Sequence, residues 1–277
     1  MNFTMKLNYR WQNAQHPQNR LPVILIHGLF GNLDNLGVLA RDLQKHHDTL
    51  QIDLRNHGLS PRSPEMNYAA MAQDVRELID ELALERVILI GHSMGGKVSM
   101  ALTEQIAARI DRIVAIDIAP VDYQVRRHDK VFATVRAVSE AGVEQRAKAA
   151  EIMRDDLPGE EGVVQFLLKS FQQGEWRFNV PVLWDQYEHI VGWSEVPAWS
   201  GPILFIRGGE SPYLDDRYRD TLLRQFPAAK AHVVSGAGHW VHAEKPEAVM
   251  RAIHRFLNAD QVLPTYPRPG PSSQATV

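Results

Sequence analysis

The chain has 277 residues, 44% of them hydrophobic and 23% charged, with a net charge of −3 and no cysteine. That length buries one sizeable core, or a core with a small second unit. A near-neutral balance without a long basic run argues against nucleic-acid binding, and the missing cysteines exclude disulfides, thiolate metal sites and a cysteine nucleophile. The opening MNFTMKLNYRWQN has no apolar signal core, and no run of about 18 apolar residues occurs. The expectation is a soluble, cytoplasmic protein without a membrane span.

Residues 5–11 alternate in character and suit an antiparallel edge hairpin. ValIleLeuIle at 23–26 predicts a strand, and 36–45 predicts a helix with Leu36, Leu39, Ala40 and Leu43 on one face. Strand 49–54, helix 69–83, strand 86–90, helix 94–107 and strand 112–118 follow. Continuous apolar strands separated by helices imply a mostly parallel central sheet covered by helices on both faces. The pattern changes at Pro120. Residues 121–199 read as helical with no clear strand and hold Trp176, Trp184, Trp193 and Trp199. Alternation resumes with strand 202–207, helix 215–225, strand 232–234 and helix 246–257. A helical insertion inside an α/β sheet reads as a cap over the active edge. The expected division is a core of 1–119 and 200–259 with a cap of 120–199. Residues 260–277, Pro/Ser-rich from 263, predict a disordered tail.

One stretch, Gly91-His92-Ser93-Met94-Gly95-Gly96-Lys97-Val98, fits two chemistries. As G-x-x-x-x-G-K it approaches a phosphate-binding loop, but the position that must offer a hydroxyl to Mg²⁺ is Val98. Ser99 comes one place late, about 100° round the helix. As G-x-S-x-G it is a nucleophile elbow, in which small residues two before and two after the serine let a strained strand-to-helix turn pass. Two further motifs agree. His27-Gly28-Leu29-Phe30-Gly31 follows strand 23–26, where a second oxyanion donor belongs, so the backbone N–H groups of Leu29 and Met94 are the expected oxyanion hole. GlyAlaGlyHisTrpValHisAlaGluLysPro at 236–246 follows the last strand and offers His239 as general base.

Together HGLFG, DLRNHGLS, GHSMGGK and GAGHWVHAEKP resemble the α/β-hydrolase superfamily, most closely the bacterial YbfF-type esterases. The likeness spans roughly residues 5–258 and includes IDIAPVDYQVRRHD and FNVPVLWDQY of the insertion. It implies an α/β-hydrolase fold with a helical cap inserted after strand six. It also implies hydrolysis of acyl esters, and of acyl-CoA thioesters as a further class, with no cofactor.

Chain order in this fold normally places the triad acid after strand 202–207. Ser211 stands where that acid is expected, which leaves Asp117, Glu210 and Asp215 as candidates. The resemblance favours the earlier strand, hence Asp117, with Asp215 as runner-up. It also suggests Arg127 at the start of the cap as the partner of a substrate carboxylate or CoA phosphate; a solvated helix face is the plainer reading. Ser211 either donates to an acyl group or caps its own turn, and Trp240 is a further expected substrate contact. His57 is expected to brace the loop near the site. His239 and His242 invite a metal reading, but no third ligand has suitable spacing, so no metal is expected. The alternative function is a C–C bond hydrolase or lyase of the same fold acting on a carboxylate-bearing substrate. Expected partners are small acyl esters or acyl-CoA, with oligomeric state left open.

Overall fold

The computed structural model describes residues 5–259; the expected tail at 260–277 lies outside them. Five strands precede the insertion: β1 (Tyr9–Gln12), β2 (Val23–Ile26), β3 (Thr49–Ile52), β4 (Val87–His92) and β5 (Ile110–Ile116). The insertion carries a short hairpin, β6 (Phe171–Gln172) and β7 (Glu175–Trp176); β8 (Ile203–Gly208) and β9 (Ala229–Val234) come after it. The helices are α1 (Gly37–Leu43), α2 (Tyr68–Glu81), α3 (Met94–Ala101) and α4 (Thr103–Ile106), then α5 (Asp129–Ala141), α6 (Arg146–Asp156), α7 (Glu161–Leu168), α8 (Val180–Asp185) and α9 (Tyr187–Val191) in the insertion. α10 (Arg219–Gln225), α11 (Val241–Glu244) and α12 (Pro246–Leu257) complete the chain.

The main sheet has the order β1-β3-β2-β4-β5-β8-β9. Only the β1–β3 pair is antiparallel. Residues 5–11 therefore contribute to one edge strand, not a hairpin, and five described strands, not six, lead into the insertion. The apolar runs are continuous because both faces are covered. Val23, Leu25, Ile88 and Ile90 pack with α1 and α12 on one side. Ile24, Ile26 and Leu89 pack with α2 and α3 on the other, in a cluster that runs unbroken into Phe132, Val135 and Leu167 of the insertion.

Several boundaries differ from expectation, each for a local reason. β5 ends at Ile116, which puts Asp117 just past the strand in the left-handed region at φ 54°. Asp215 caps a short turn over Asp216–Tyr218, so α10 begins later than the expected helix. The hairpin β6–β7 turns on Gln173 and Gly174, both at positive φ, as a tight two-residue hairpin turn requires. Its continuation, Arg177–Asn179, is tied to the loop after β3: Gly58 N–H donates to Arg177 O (2.6 Å) and Asn179 N–H to Asn56 O (2.9 Å).

Candidate active site

The elbow follows from two glycines. A Cβ on Gly91 would lie 2.2 Å from the Gly95 carbonyl oxygen, and one on Gly95 would lie 2.1 Å from the Ile26 carbonyl oxygen of β2. Only hydrogen fits at either place. Between them Ser93 sits at φ 54°, ψ −120°, a costly conformation for a non-glycine residue. Ser93 N–H is held by Ile116 O at 3.0 Å. The hydroxyl thus stands at the mouth of β4 and at the positive end of α3.

Three side chains from separate strand ends meet there. His239 Nε2 is 2.9 Å from Ser93 Oγ, and His239 Nδ1 is 2.6 Å from Asp117 Oδ2. Asp117 is fully buried. Its Oδ1 accepts from Gly208 N–H at 3.0 Å, while Oδ2 also accepts from the Ser211 hydroxyl. With a carboxylate on Nδ1, the Nδ1–H tautomer leaves the Nε2 lone pair facing Ser93. Of the other candidate acids, Glu210 is exposed and Asp215 accepts from Arg217 N–H at 3.0 Å to cap its turn. Neither touches His239. Ser211, expected either to donate to an acyl group or to cap its own turn, gives its buried hydroxyl to the Asp117 carboxylate and accepts from Tyr213 N–H at 3.4 Å.

The histidine loop is braced from behind. His92 Nε2–H donates to His239 O at 2.9 Å, and the Tyr213 ring stacks on the His239 imidazole with centroids 4.1 Å apart. Sequence reasoning missed Tyr213; no spacing rule marks a residue whose role is to stack on a base.

Leu29 and Met94 both line the cavity at Ser93, and neither backbone N–H has a hydrogen-bond acceptor among the described residues. The loop bearing Leu29 is tied down by two imidazoles. Leu54 N–H donates to His27 Nε2 (3.0 Å) and Phe30 N–H donates to His57 Nε2 (3.1 Å). Their Nδ1–H groups donate to Gly28 O (2.7 Å) and Arg55 O (2.9 Å). Accepting through Nε2 requires both rings to be neutral. Burial enforces this, pulling His27 down to about 4 and His57, with His27 beside it, to about 3.

A small cavity of about 30 Å³ opens beside Ser93, lined by Leu29, Met94, Lys97, Arg127 and four tyrosines, Tyr68, Tyr123, Tyr187 and Tyr213. Arg127 lies over the Tyr213 ring at 5.3 Å. Trp240 does not reach this cavity. It lines a broader groove of about 470 Å³ on the other side of His239, against Phe166 of α7. Lys97 was noted in the sequence only as part of a rejected phosphate motif. It is in fact buried in an apolar helix, and burial lowers its ammonium to about 7. A lone charge amid Met94, Val98 and Met100 is the signal that marks it. Among the described residues, no group of three His, Asp or Glu side chains is placed to hold a metal, and no helix is long and apolar enough to cross a membrane.

A parallel sheet carrying a serine on a strained turn after one strand, an acid after the next and a histidine beyond the last is an α/β-hydrolase arrangement. The chain belongs to the α/β-hydrolase fold family, which matches it over residues 22–246. Over 254 residues it is 65% identical to esterase YbfF of Escherichia coli (strain K12), covering 92% of this chain and 100% of that protein. It is 36% identical over 246 residues to the sn-1-specific diacylglycerol lipase ABHD11 of Mus musculus, covering 85% of this chain and 80% of that one. Among solved structures, a marine microorganism esterase superposes with a TM-score of 0.83 at 30% identity, covering 91% of this chain and 99% of the other.

Proposed function

We propose that this chain is a serine esterase that cleaves carboxylic esters through an acyl-enzyme, with Ser93 as nucleophile, His239 as general base and acid, and Asp117 as the residue that orients and stabilises the imidazole. The observation that carries the reading is the continuous hydrogen-bond chain from Ser93 Oγ through His239 to the buried Asp117. Esterase activity of the named relatives supports the bond class.

The proposed steps use these residues in turn. The Ser93 hydroxyl attacks the acyl carbon as His239 Nε2 takes its proton. The carbonyl oxygen becomes an oxyanion held by the Leu29 and Met94 N–H groups, each such donor being worth roughly 3–4 kcal/mol of barrier. Asp117 stabilises the imidazolium. The proton then passes from Nε2 to the leaving oxygen, and the alcohol departs. Water repeats the sequence on the acyl-enzyme and releases the acid. Acyl-CoA thioesters run through the same steps with a thiol leaving. In this reading residues 120–199 form a cap that covers the site, and Arg127 meets an anionic part of the substrate. The absence of cysteine suits work in a reducing compartment such as the cytoplasm.

Hydrolysis of p-nitrophenyl acetate tests this. Ser93→Ala and Asp117→Asn should each lower kcat by about 10⁴. Asp215→Asn should stay within about twofold of wild type, since it removes only a turn cap. Loss of activity in Asp215→Asn with retention in Asp117→Asn would reassign the acid. A wild-type protein inert to simple esters would move the reading to carbon–carbon bond cleavage.

A further inference from the structure

Ile190 and Val191, at the end of α9, line the cavity beside Ser93. Its volume of about 30 Å³ compares with the roughly 10–15 Å³ that one water needs on the same measure, so it takes little more than an acetyl-sized group. A second pocket of about 510 Å³ is bordered by Asn67, Asp122, His189, Gly192 and Trp193. Tyr68 lines both. Ile190 and Val191 line the first and Gly192 and Trp193 the second, so the end of α9 and the residues just after it run between the two spaces.

That segment is pinned carbonyl by carbonyl. Tyr68 Oη donates to Ile190 O at 2.5 Å. Lys97 Nζ donates to Val191 O and to Gly192 O, both at 3.1 Å, and Tyr123 N–H also reaches Val191 O at 3.1 Å. The ammonium sits 4.7 Å from the Tyr123 ring centroid, 5.5 Å from that of Tyr68 and 5.9 Å from that of Trp193. It forms no ion pair among the described residues. A buried ammonium without a carboxylate is costly, so its donors, carbonyl ties and ring contacts define what it does here. Lys97 stands one turn beyond Ser93 on the same helix, so it binds the insertion's end directly to the nucleophile's helix.

We propose that Lys97, together with Tyr68, sets the acyl-chain length this enzyme accepts, by holding the Ile190–Trp193 wall shut between the catalytic cavity and the larger pocket. Lys97 is a positioning residue: it acts on substrate through the wall that it holds. The wild type then takes short acyl groups. Releasing the wall joins the two spaces and admits medium-length acyl chains. The inference rests on the esterase reading above.

The test is steady-state hydrolysis of p-nitrophenyl acetate, butyrate and octanoate by wild type, Lys97→Met and Tyr68→Phe, with thermal unfolding of each. Methionine keeps a stem of similar length without donors or charge; phenylalanine keeps the ring without the hydroxyl. The apolar part of the larger pocket is Ala69, Ala101, Trp193 and Val196, and each methylene that leaves water against it favours binding roughly fourfold. The octanoate-to-acetate ratio of kcat/KM should therefore rise at least about tenfold in Lys97→Met, through a lower KM for octanoate, and by less in Tyr68→Phe. A ratio within about twofold of wild type in the folded variants overturns the proposal, as does a wild type that already prefers octanoate. Should Lys97→Met not fold, Tyr68→Phe decides alone. A wild type that cleaves none of the three esters overturns the esterase reading, and the wall's role in acyl selection with it.

Discussion

Asp117 shows how much a single carboxylate is asked to do. Its two oxygens accept from Gly208 N–H, the Ser211 hydroxyl and His239 Nδ1–H. Removing the Ser211 hydroxyl leaves Oδ2 with the imidazole alone. A hydrogen bond to a charged group contributes about 1.5–3 kcal/mol. Ser211→Ala should therefore lower kcat by roughly tenfold or more with little change in KM, because the hydroxyl faces the carboxylate and not the cavity. A rise in KM at unchanged kcat would instead make Ser211 a substrate contact. The serine and the base were legible in the sequence, because their motifs encode local backbone demands. The acid was reached through the family resemblance and not through local spacing: its position depends on which strand ends lie side by side, and that is a property of the sheet. Lys97 escaped for a related reason, since its partners lie 94 and 95 residues away.

At the level of elements, β5 and β8 are parallel neighbours, so the loops that leave them emerge together. That is why a carboxylate after β5 serves a histidine that this fold more often pairs with one after β8, and why Ser211 touches Asp117. Moving the acid across should be tolerated. Asp117→Asn combined with Ser211→Asp is expected to recover at least about tenfold of the activity lost in Asp117→Asn alone, measured on p-nitrophenyl acetate. No recovery would mean that the left-handed backbone at Asp117 is required for the carboxylate's aim. The elbow is less forgiving. In Gly95→Ala the new methyl meets backbone of β2, which neighbouring strands on both sides hold in place. A loss of about 3 kcal/mol or more is expected in urea unfolding. The helix and strand types were readable from periodicity and from apolar runs. The β6–β7 hairpin was not, because two-residue strands have no period and Gln173-Gly174 is a weak turn signal.

Over the whole molecule, the same burial that fixes the site makes stability depend on acid. His27 and His128 are pulled down to about 4, and His57 and His242 to about 3, in each case chiefly by burial. In the unfolded chain these imidazoles take a proton near pH 6.5, roughly the unperturbed value. Between that value and the folded ones the unfolded state binds more protons, so stability falls as pH drops through this window. Each group contributes up to about 1.4 kcal/mol per pH unit. The urea midpoint should thus decline measurably from pH 7 to pH 5, above the range where most carboxylates titrate; a flat profile would mean that these rings reach solvent. The overall architecture was legible because two-sided burial writes itself into strands as unbroken apolar runs. The path of the insertion was not, since it is set by distant ties such as Gly58 to Arg177. The distance along the chain between Ser93 and its base has one more effect. His239 is made 146 residues after Ser93, and it reaches the serine only across β5, β8 and β9. In the proposed mechanism a growing polypeptide therefore carries Ser93 as an ordinary alcohol, indifferent to the thioesters and activated acyl groups around it. Reactivity switches on only once the far edge of the sheet has closed, so covalent labelling of Ser93 doubles as a count of fully folded molecules.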